Sequence, residues 1–232
     1  MRLIQLKYEL EDLNVVEQLK HLADEFNGKI VFSTSFGWED QVITHLIFSN
    51  NIPIKVFTLE TGRLFPETYY VWNRTLEVYG KPIYAYYPRT EAVQAMVNTK
   101  GPNSFYESVE NRKECCFIRK IEPLKRALSG NELWITGIRA QQSANRDDMQ
   151  SLEWDEGNNL IKFHPIFSWT LEEVKSYIKI NNIVYNTLHD KGFPSIGCAP
   201  CTRAVKQGDD FRAGRWWWED QSKKECGLHE VK

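Results

Sequence analysis

Long apolar runs, charge of one sign and abundant cysteine are all missing from this sequence. No stretch of about eighteen apolar residues occurs, so no segment reads as a membrane-spanning helix and no membrane partner is expected. Lys and Arg number 29 against 31 Asp and Glu, a formal charge of −2, which argues against nucleic acid as a general partner. Any anionic ligand must then be held by local positive charge. The N-terminal Met-Arg-Leu-Ile-Gln-Leu-Lys-Tyr-Glu has no apolar core of signal-peptide length, so a cytoplasmic location is expected. No internal repeat or low-complexity tract is found. Neither GxGxxG nor a Walker A sequence occurs. Only five cysteines are present, and in a reducing compartment an odd set is a poor disulfide framework, which leaves metal binding and catalysis as their leading uses.

What remains is enough for a real core: 232 residues, 42% of them hydrophobic, suit one large domain with a functional tail. Leu13, Val16, Leu19, Leu22 and Phe26 recur every three or four residues before Gly28, the pattern of an amphipathic helix with a glycine stop. Strands are expected at Lys29 to Ser35, Lys55 to Leu59, Pro82 to Tyr87 and Leu133 to Thr136. Helices are expected at Trp38 to Phe48, Pro66 to Tyr79, Thr90 to Lys100 and Phe117 to Leu128, with Gly101 to Glu114 as loop. This alternation is that of a parallel α/β sheet. Thr170-Leu-Glu-Glu173 is a capping box, so a further helix begins there. Beyond Tyr185 the composition shifts to Gly, Pro, Cys, Arg and Trp, as in a site-forming segment.

Ligands of doubly wound sheets bind outside the carboxyl ends of strands, and the first such loop here is Ser33-Thr34-Ser35-Phe36-Gly37. Three hydroxyls, a glycine and a helix N-terminus suit an anion, although a plain strand-to-helix turn fits equally well. Leu59-Glu-Thr61-Gly62-Arg63 and Thr136-Gly137-Ile-Arg139 end two further strands, with Arg146 beyond, and together these ends favour a nucleotide pocket over solvated loops. Four cysteines form two pairs, Cys115-Cys116 and Cys198-x-x-Cys201. Adjacent ligands diverge and so favour a 4Fe–4S cluster over tetrahedral zinc, while two unrelated pairs stay open. The fifth, Cys226, lies among Lys223, Lys224 and His229, and nearby cations favour its reactive thiolate.

Taken together the residues resemble the assimilatory adenylyl-sulfate reductases of the phosphosulfate reductase group. The resemblance rests on Ser33-Thr-Ser-Phe-Gly-Trp-Glu-Asp40, Glu60-Thr-Gly-Arg-Leu-Phe-Pro-Glu-Thr-Tyr69, Cys115-Cys-Phe-Ile-Arg-Lys-Ile-Glu-Pro-Leu124, Thr136-Gly-Ile-Arg139, Ser195-Ile-Gly-Cys-Ala-Pro-Cys-Thr-Arg203, Gly214-Arg-Trp-Trp-Trp-Glu219 and Lys224-Glu-Cys-Gly-Leu-His229. It implies a doubly wound, mostly parallel sheet of the adenine-nucleotide α-hydrolase type. One phosphosulfate reductase domain would span residues 1–232, with a helical segment at 1–28 and a mobile C-terminal tail at 204–232. It also implies adenosine 5′-phosphosulfate as substrate, with the loop Ser33, Thr34, Ser35, Phe36 and Gly37 at the phosphosulfate and Leu59, Thr61, Gly62 and Gly137 around the adenosine. Arg63 and Arg139 would be further contacts, Arg146 would assist, and Lys120, Arg212, Arg215 and His229 would surround the sulfonyl group. Cys115, Cys116, Cys198 and Cys201 would ligate one 4Fe–4S cluster, and Cys226 would be the nucleophile, with thioredoxin or a similar dithiol as electron donor. The 3′-phosphorylated nucleotide is the alternative substrate; its dedicated reductases typically lack both cysteine pairs. Glu60 stands where the family usually has Asp, and the segment from Ala140 to Arg146 is about one residue short. The sequence leaves a homo-oligomer open.

Overall fold

The computed structural model describes residues 2–142, 149–206 and 208–219. Strands β1 (Ile30–Ser33), β2 (Lys55–Leu59), β3 (Tyr84–Tyr86), β4 (Leu133–Ile135), β5 (Leu152–Asp155) and β6 (Leu160–Phe163) form one sheet in the order β3-β2-β1-β4-β6-β5. β1 pairs in parallel with β2 and β4, β4 in parallel with β6, and β5 antiparallel with β6. The expected doubly wound architecture is therefore present. Its order reverses between β1 and β4, which makes the carboxyl ends of those two strands the switch point. Ile30, Val31, Phe32 and the whole of β4 are buried, as in central parallel strands covered on both faces.

Eight α-helices occur among the described residues: α1 (Arg2–Leu10), α2 (Val15–Phe26), α3 (Trp38–Ser49), α4 (Pro66–Tyr79), α5 (Thr90–Lys100), α6 (Val109–Cys116), α7 (Glu122–Leu128) and α8 (Leu171–Ile180). The box at α8 forms as its sequence dictates. Thr170 Oγ1 accepts from the Glu173 amide at 3.2 Å, and the Glu173 carboxylate accepts from the Thr170 amide at 2.6 Å. Asn14 and Glu17 cap α2 in the same way.

Two local expectations are corrected. Gly101 to Glu114 is not all loop, because Ser108 accepts from the Asn111 amide at 3.1 Å and so starts α6 at Val109. Cys115 and Cys116 accordingly end α6. A π-helical turn, Phe117–Ile121, then joins α6 to α7. The hairpin of β5 and β6 was not expected either. Its alternation is masked by Lys162, which is buried because the Asp155 carboxylate meets its ammonium at 2.8 Å, and by Trp154, which is half exposed.

The chain divides into two compact units. The first, Met1–Thr58, Glu67–Tyr84 and Leu128–Asn186, is built on a large apolar cluster that includes Phe32, Ile43, Ile47, Val56, Ile135 and Phe163. The second comprises Leu59–Pro66, Ala85–Ala127 and Thr187–Lys232. Its core cluster is small and unusual in composition: Met96, Phe105, Cys115, Cys198, Cys201 and Trp216.

Candidate functional site

In the first unit the switch point brings together the loops after β1 and β4. Thr34 donates its amide to Phe57 O at 2.8 Å, and its hydroxyl accepts from the Phe36 amide at 3.1 Å. Phe36 sits at φ 62° in the left-handed region, anchored by stacking on Trp72 at 5.5 Å. Its side chain belongs to the core, so its contribution to a ligand would come from its backbone. Gly37 is the N-cap of α3, without a side-chain cap. The Ser33 hydroxyl accepts from the Trp134 indole at 2.8 Å.

Beneath this loop lie two acids on the first turn of α3. Asp40 accepts both the amide and the hydroxyl of Ser35 on a single carboxylate oxygen, each at 2.6 Å. Burial drives its carboxyl up to about 6 against the lowering effect of those two bonds, and neighbouring Glu39 pushes in the same direction as burial. Gly137, after β4, packs directly onto this pair, and a Cβ there would collide with Asp40 Oδ1 and lie 3.2 Å from the Glu39 Cβ. Arg139, expected as a ligand contact, is buried and donates Nε to Glu39 at 2.8 Å, with Nη1 3.4 Å from Trp169 O.

In the second unit the four paired cysteines come together. Cys115, Cys116, Cys198 and Cys201 line one pocket, shared with Arg63, Phe105, Arg112, Arg119, Lys120 and Pro200. Cys115 and Arg119, like Cys116 and Lys120, are four residues apart, the spacing that puts two side chains on one helical face. Among the described residues no group of three His, Cys, Asp or Glu side chains is gathered to hold a single metal ion; the thiols are spread around the pocket wall. Their ionisation is uneven. Burial pushes the Cys115 thiol up and drives Cys201 up to about 12, the latter aided by the Cys198 charge. Burial also opposes the Cys198 thiolate, but Lys120, a Thr61 hydrogen bond at 3.4 Å, Arg215 and Arg119 together bring that thiol below its ordinary range.

The loop after β2 is tied into this pocket. Gly62 takes φ 71°, and its amide donates to the Glu60 carboxylate, so the longer acid closes a tight turn on its own backbone. Arg119 donates to Thr61 O at 2.6 Å, and the Arg63 amide donates to the Thr61 hydroxyl at 3.2 Å. Leu59 ends β2. Arg63 reaches Asn103 and Pro102 and lies over the Phe105 ring. Arg215 is buried over the Trp216 ring at 5.0 Å with Nη1 3.4 Å from Ser195 Oγ, and Arg212 lies over the same ring at 5.8 Å. A buried bidentate pair between Arg112 and Glu219, at 2.9 and 2.8 Å, fixes the end of the described segment to α6. Arg146, Cys226 and His229 lie outside the described residues.

Sequence reasoning missed Arg119, Arg112 and Trp216. The spacing of Arg119 from Cys115 was the available signal; Arg112 and Glu219 are 107 positions apart and give none. The buried Nε atoms of Arg119 and Arg215 and the buried Trp216 Nε1 have no hydrogen-bond partner among the described residues. Donors of this kind around four thiols fit an acceptor-rich, negatively charged group held in the pocket.

Comparison with known proteins accords with this geometry. Residues 29–204 match the phosphoadenosine phosphosulfate reductase domain. The adenosine 5′-phosphosulfate reductase of Allochromatium vinosum is 47% identical over 214 residues, covering 92% of this chain and 83% of that protein. The adenosine 5′-phosphosulfate reductase of Neisseria meningitidis serogroup A is 50% identical over 220 residues, covering 94% and 90%. Among solved structures, the phosphoadenylyl-sulfate reductase of Candida auris in a phosphate complex superposes with a TM-score of 0.73 at 28% identity, covering 88% of this chain and 96% of that one. Yeast FAD synthetase shares the fold alone, at a TM-score of 0.53 and 16% identity over 87% of this chain and 74% of that one.

Proposed function

The chain belongs to the phosphoadenosine phosphosulfate reductase domain family, and from that premise we propose that it reduces adenosine 5′-phosphosulfate to sulfite and AMP in sulfate assimilation. The observation that carries the choice of nucleotide is the gathering of both cysteine pairs on one pocket, in a chain whose relatives named for this substrate are 47–50% identical.

In this reading the Cys226 thiolate attacks the sulfur of the phosphosulfate. A sulfur–sulfur bond forms, the bond from sulfur to the phosphate oxygen breaks, and AMP leaves with the electron pair. One thiol of a thioredoxin-type dithiol then attacks the Cys226 sulfur and releases sulfite. Its second thiol resolves the mixed disulfide, so the dithiol supplies both electrons. Such a donor, with four cysteines outside any disulfide among the described residues, suits a reducing, cytoplasmic setting.

Each unit supports part of this scheme. The loop of Ser33 to Gly37, at the N-terminus of α3, is assigned to the phosphosulfate, with the Ser35 amide and hydroxyl held by Asp40 and Gly137 beside it. Thr61, Gly62 and Leu59 form the other strand-end loop assigned to the nucleoside, with Arg63 beside them. Lys120, Arg212, Arg215 and His229 are the cations assigned to the sulfonyl group, and Arg146 to the nucleotide.

Cys115, Cys116, Cys198 and Cys201 are assigned to a 4Fe–4S cluster, whose donor set four thiols would complete. When bound it would supply a covalent tie across the second unit and a negative charge centre near Lys120. The Arg63, Arg112, Arg119 and Lys120 cations on the pocket wall, with the unpartnered Arg119 Nε among them, support that assignment, and Arg215 favours the Cys198 thiolate.

A single-turnover experiment without dithiol tests the nucleophile. Substrate labelled at sulfur should deposit its label on Cys226 with release of AMP, and Cys226→Ser should take up none. Label on any other residue, or turnover by Cys226→Ser, would remove Cys226 from the mechanism.

A further inference from the structure

The acids beneath the β1 loop are the unexplained feature of the first unit. An unneutralised carboxylate under a loop offered to a dianion repels the ligand, and burial of its charge also costs stability. Glu39 has a cation, since Arg139 binds it at 2.8 Å. Asp40 instead collects the two donors of Ser35, amide and hydroxyl, on one oxygen. The two acids also fill the space that Gly137 leaves open in the loop after β4. Both loops of the switch point therefore rest on one buried side chain.

We propose that Asp40 is the positioning residue of the phosphosulfate end of the nucleotide site, holding Ser35 on one side and seating Gly137 on the other so that the β1 and β4 loops form one crevice. This rests on the reading that the crevice receives adenosine 5′-phosphosulfate. The groups that face Asp40 are Ser35 from the loop, Glu39 from α3, with Arg139 behind it, and the Gly137 backbone from the β4 side. Ionised Asp40 accepts two charge-assisted bonds; protonation weakens both and loosens Ser35. Its elevated titration, near 6, places that loss just below neutral pH.

The test uses the full-length holoprotein and the variants Asp40→Asn and Asp40→Ala. Binding of AMP and of adenosine 5′-phosphosulfate is measured by calorimetry beside steady-state turnover from pH 5.5 to 8. For Asp40→Ala, the KM and Kd for the phosphosulfate should rise by about tenfold or more, with kcat changed far less, because two hydrogen bonds to a charged group are lost. Asp40→Asn, which keeps an acceptor, should recover most of the loss and should flatten the rise in KM that the wild type shows as pH falls through 6. A brace of purely structural importance would lower both variants' melting temperature without altering that pH limb. Wild-type Kd and an unaltered limb in both variants would overturn the proposal. If Asp40→Ala fails to fold, Asp40→Asn alone decides, through its pH limb. Were the wild type to bind nucleotide but release no sulfite, the reaction would be misassigned while the binding data would still judge Asp40. Were it to bind neither nucleotide, both readings would fall.

Discussion

The two units keep their side chains in place by different means. The first is held by a continuous apolar cluster, and its chemistry is confined to two loops at the edge of a sheet that folding alone would build. The core of the second is three thiols, a methionine and two aromatics, with further thiol and guanidinium groups around it and the buried donors of Arg119, Arg215, Trp216 and Trp218 left without hydrogen-bond partners among the described residues. A fold of the first kind carries its site as an addition to a stable frame. One of the second kind has its site as its core, so whatever fills the thiol pocket contributes to stability as well as to function.

The sharpest way to break this contrast is to remove a thiol. Cys198→Ala should abolish iron and sulfide retention and render residues 85–127 and 187–219 protease-sensitive, while the sheet unit keeps its circular dichroism. Equal loss in both units would show that the units do not differ as described. Next in size is Arg112→Met, which strands the buried Glu219 carboxylate and should cost about 3–5 kcal/mol in denaturant unfolding. The double variant Arg112→Met/Glu219→Leu should recover much of that.

Gly137→Ala probes the first unit, where the added Cβ would collide with Asp40. Overpacking there should cost about 1–3 kcal/mol and raise KM. A last effect, spread over about two pH units, is one of protonation. The Asp40 carboxyl is raised in the folded protein from an ordinary 3.8 to about 6, so the folded state binds the extra proton, and this group's contribution to stability falls as pH rises between those values. Its maximum is about 3 kcal/mol. Melting measured from pH 4 to 7 should therefore show less loss of stability with rising pH in Asp40→Asn than in the wild type.

The same contrast governs what could be read before folding. Apolar strands, the Thr170 capping box and the alternation of strand and helix are local signals, and they located most of the first unit. The β5–β6 hairpin escaped because Lys162 is buried only by virtue of the opposing Asp155, a partner invisible to periodicity. Arg139 reads from sequence as a further ligand contact; its ion pair with Glu39, 100 positions away, is reachable only through the β1–β4 pairing. In the second unit the two cysteine pairs pointed to a shared pocket, whereas Arg112 on its wall came from a segment whose polar composition resembled loop. Ser108 shows why: a single cap converted part of an apparent loop into the helix that ends in Cys115 and Cys116.

The central claim is best tested by an anaerobic assay on protein whose iron and sulfide have been counted, following sulfite together with AMP from adenosine 5′-phosphosulfate, or with adenosine 3′,5′-bisphosphate from its 3′-phosphorylated form, with a thioredoxin-type donor. The account predicts equal amounts of sulfite and AMP, with kcat/KM clearly favouring the unphosphorylated nucleotide. A preference for the 3′-phosphorylated form would contradict the choice of substrate, and release of the nucleotide product without sulfite from either substrate would contradict the account itself.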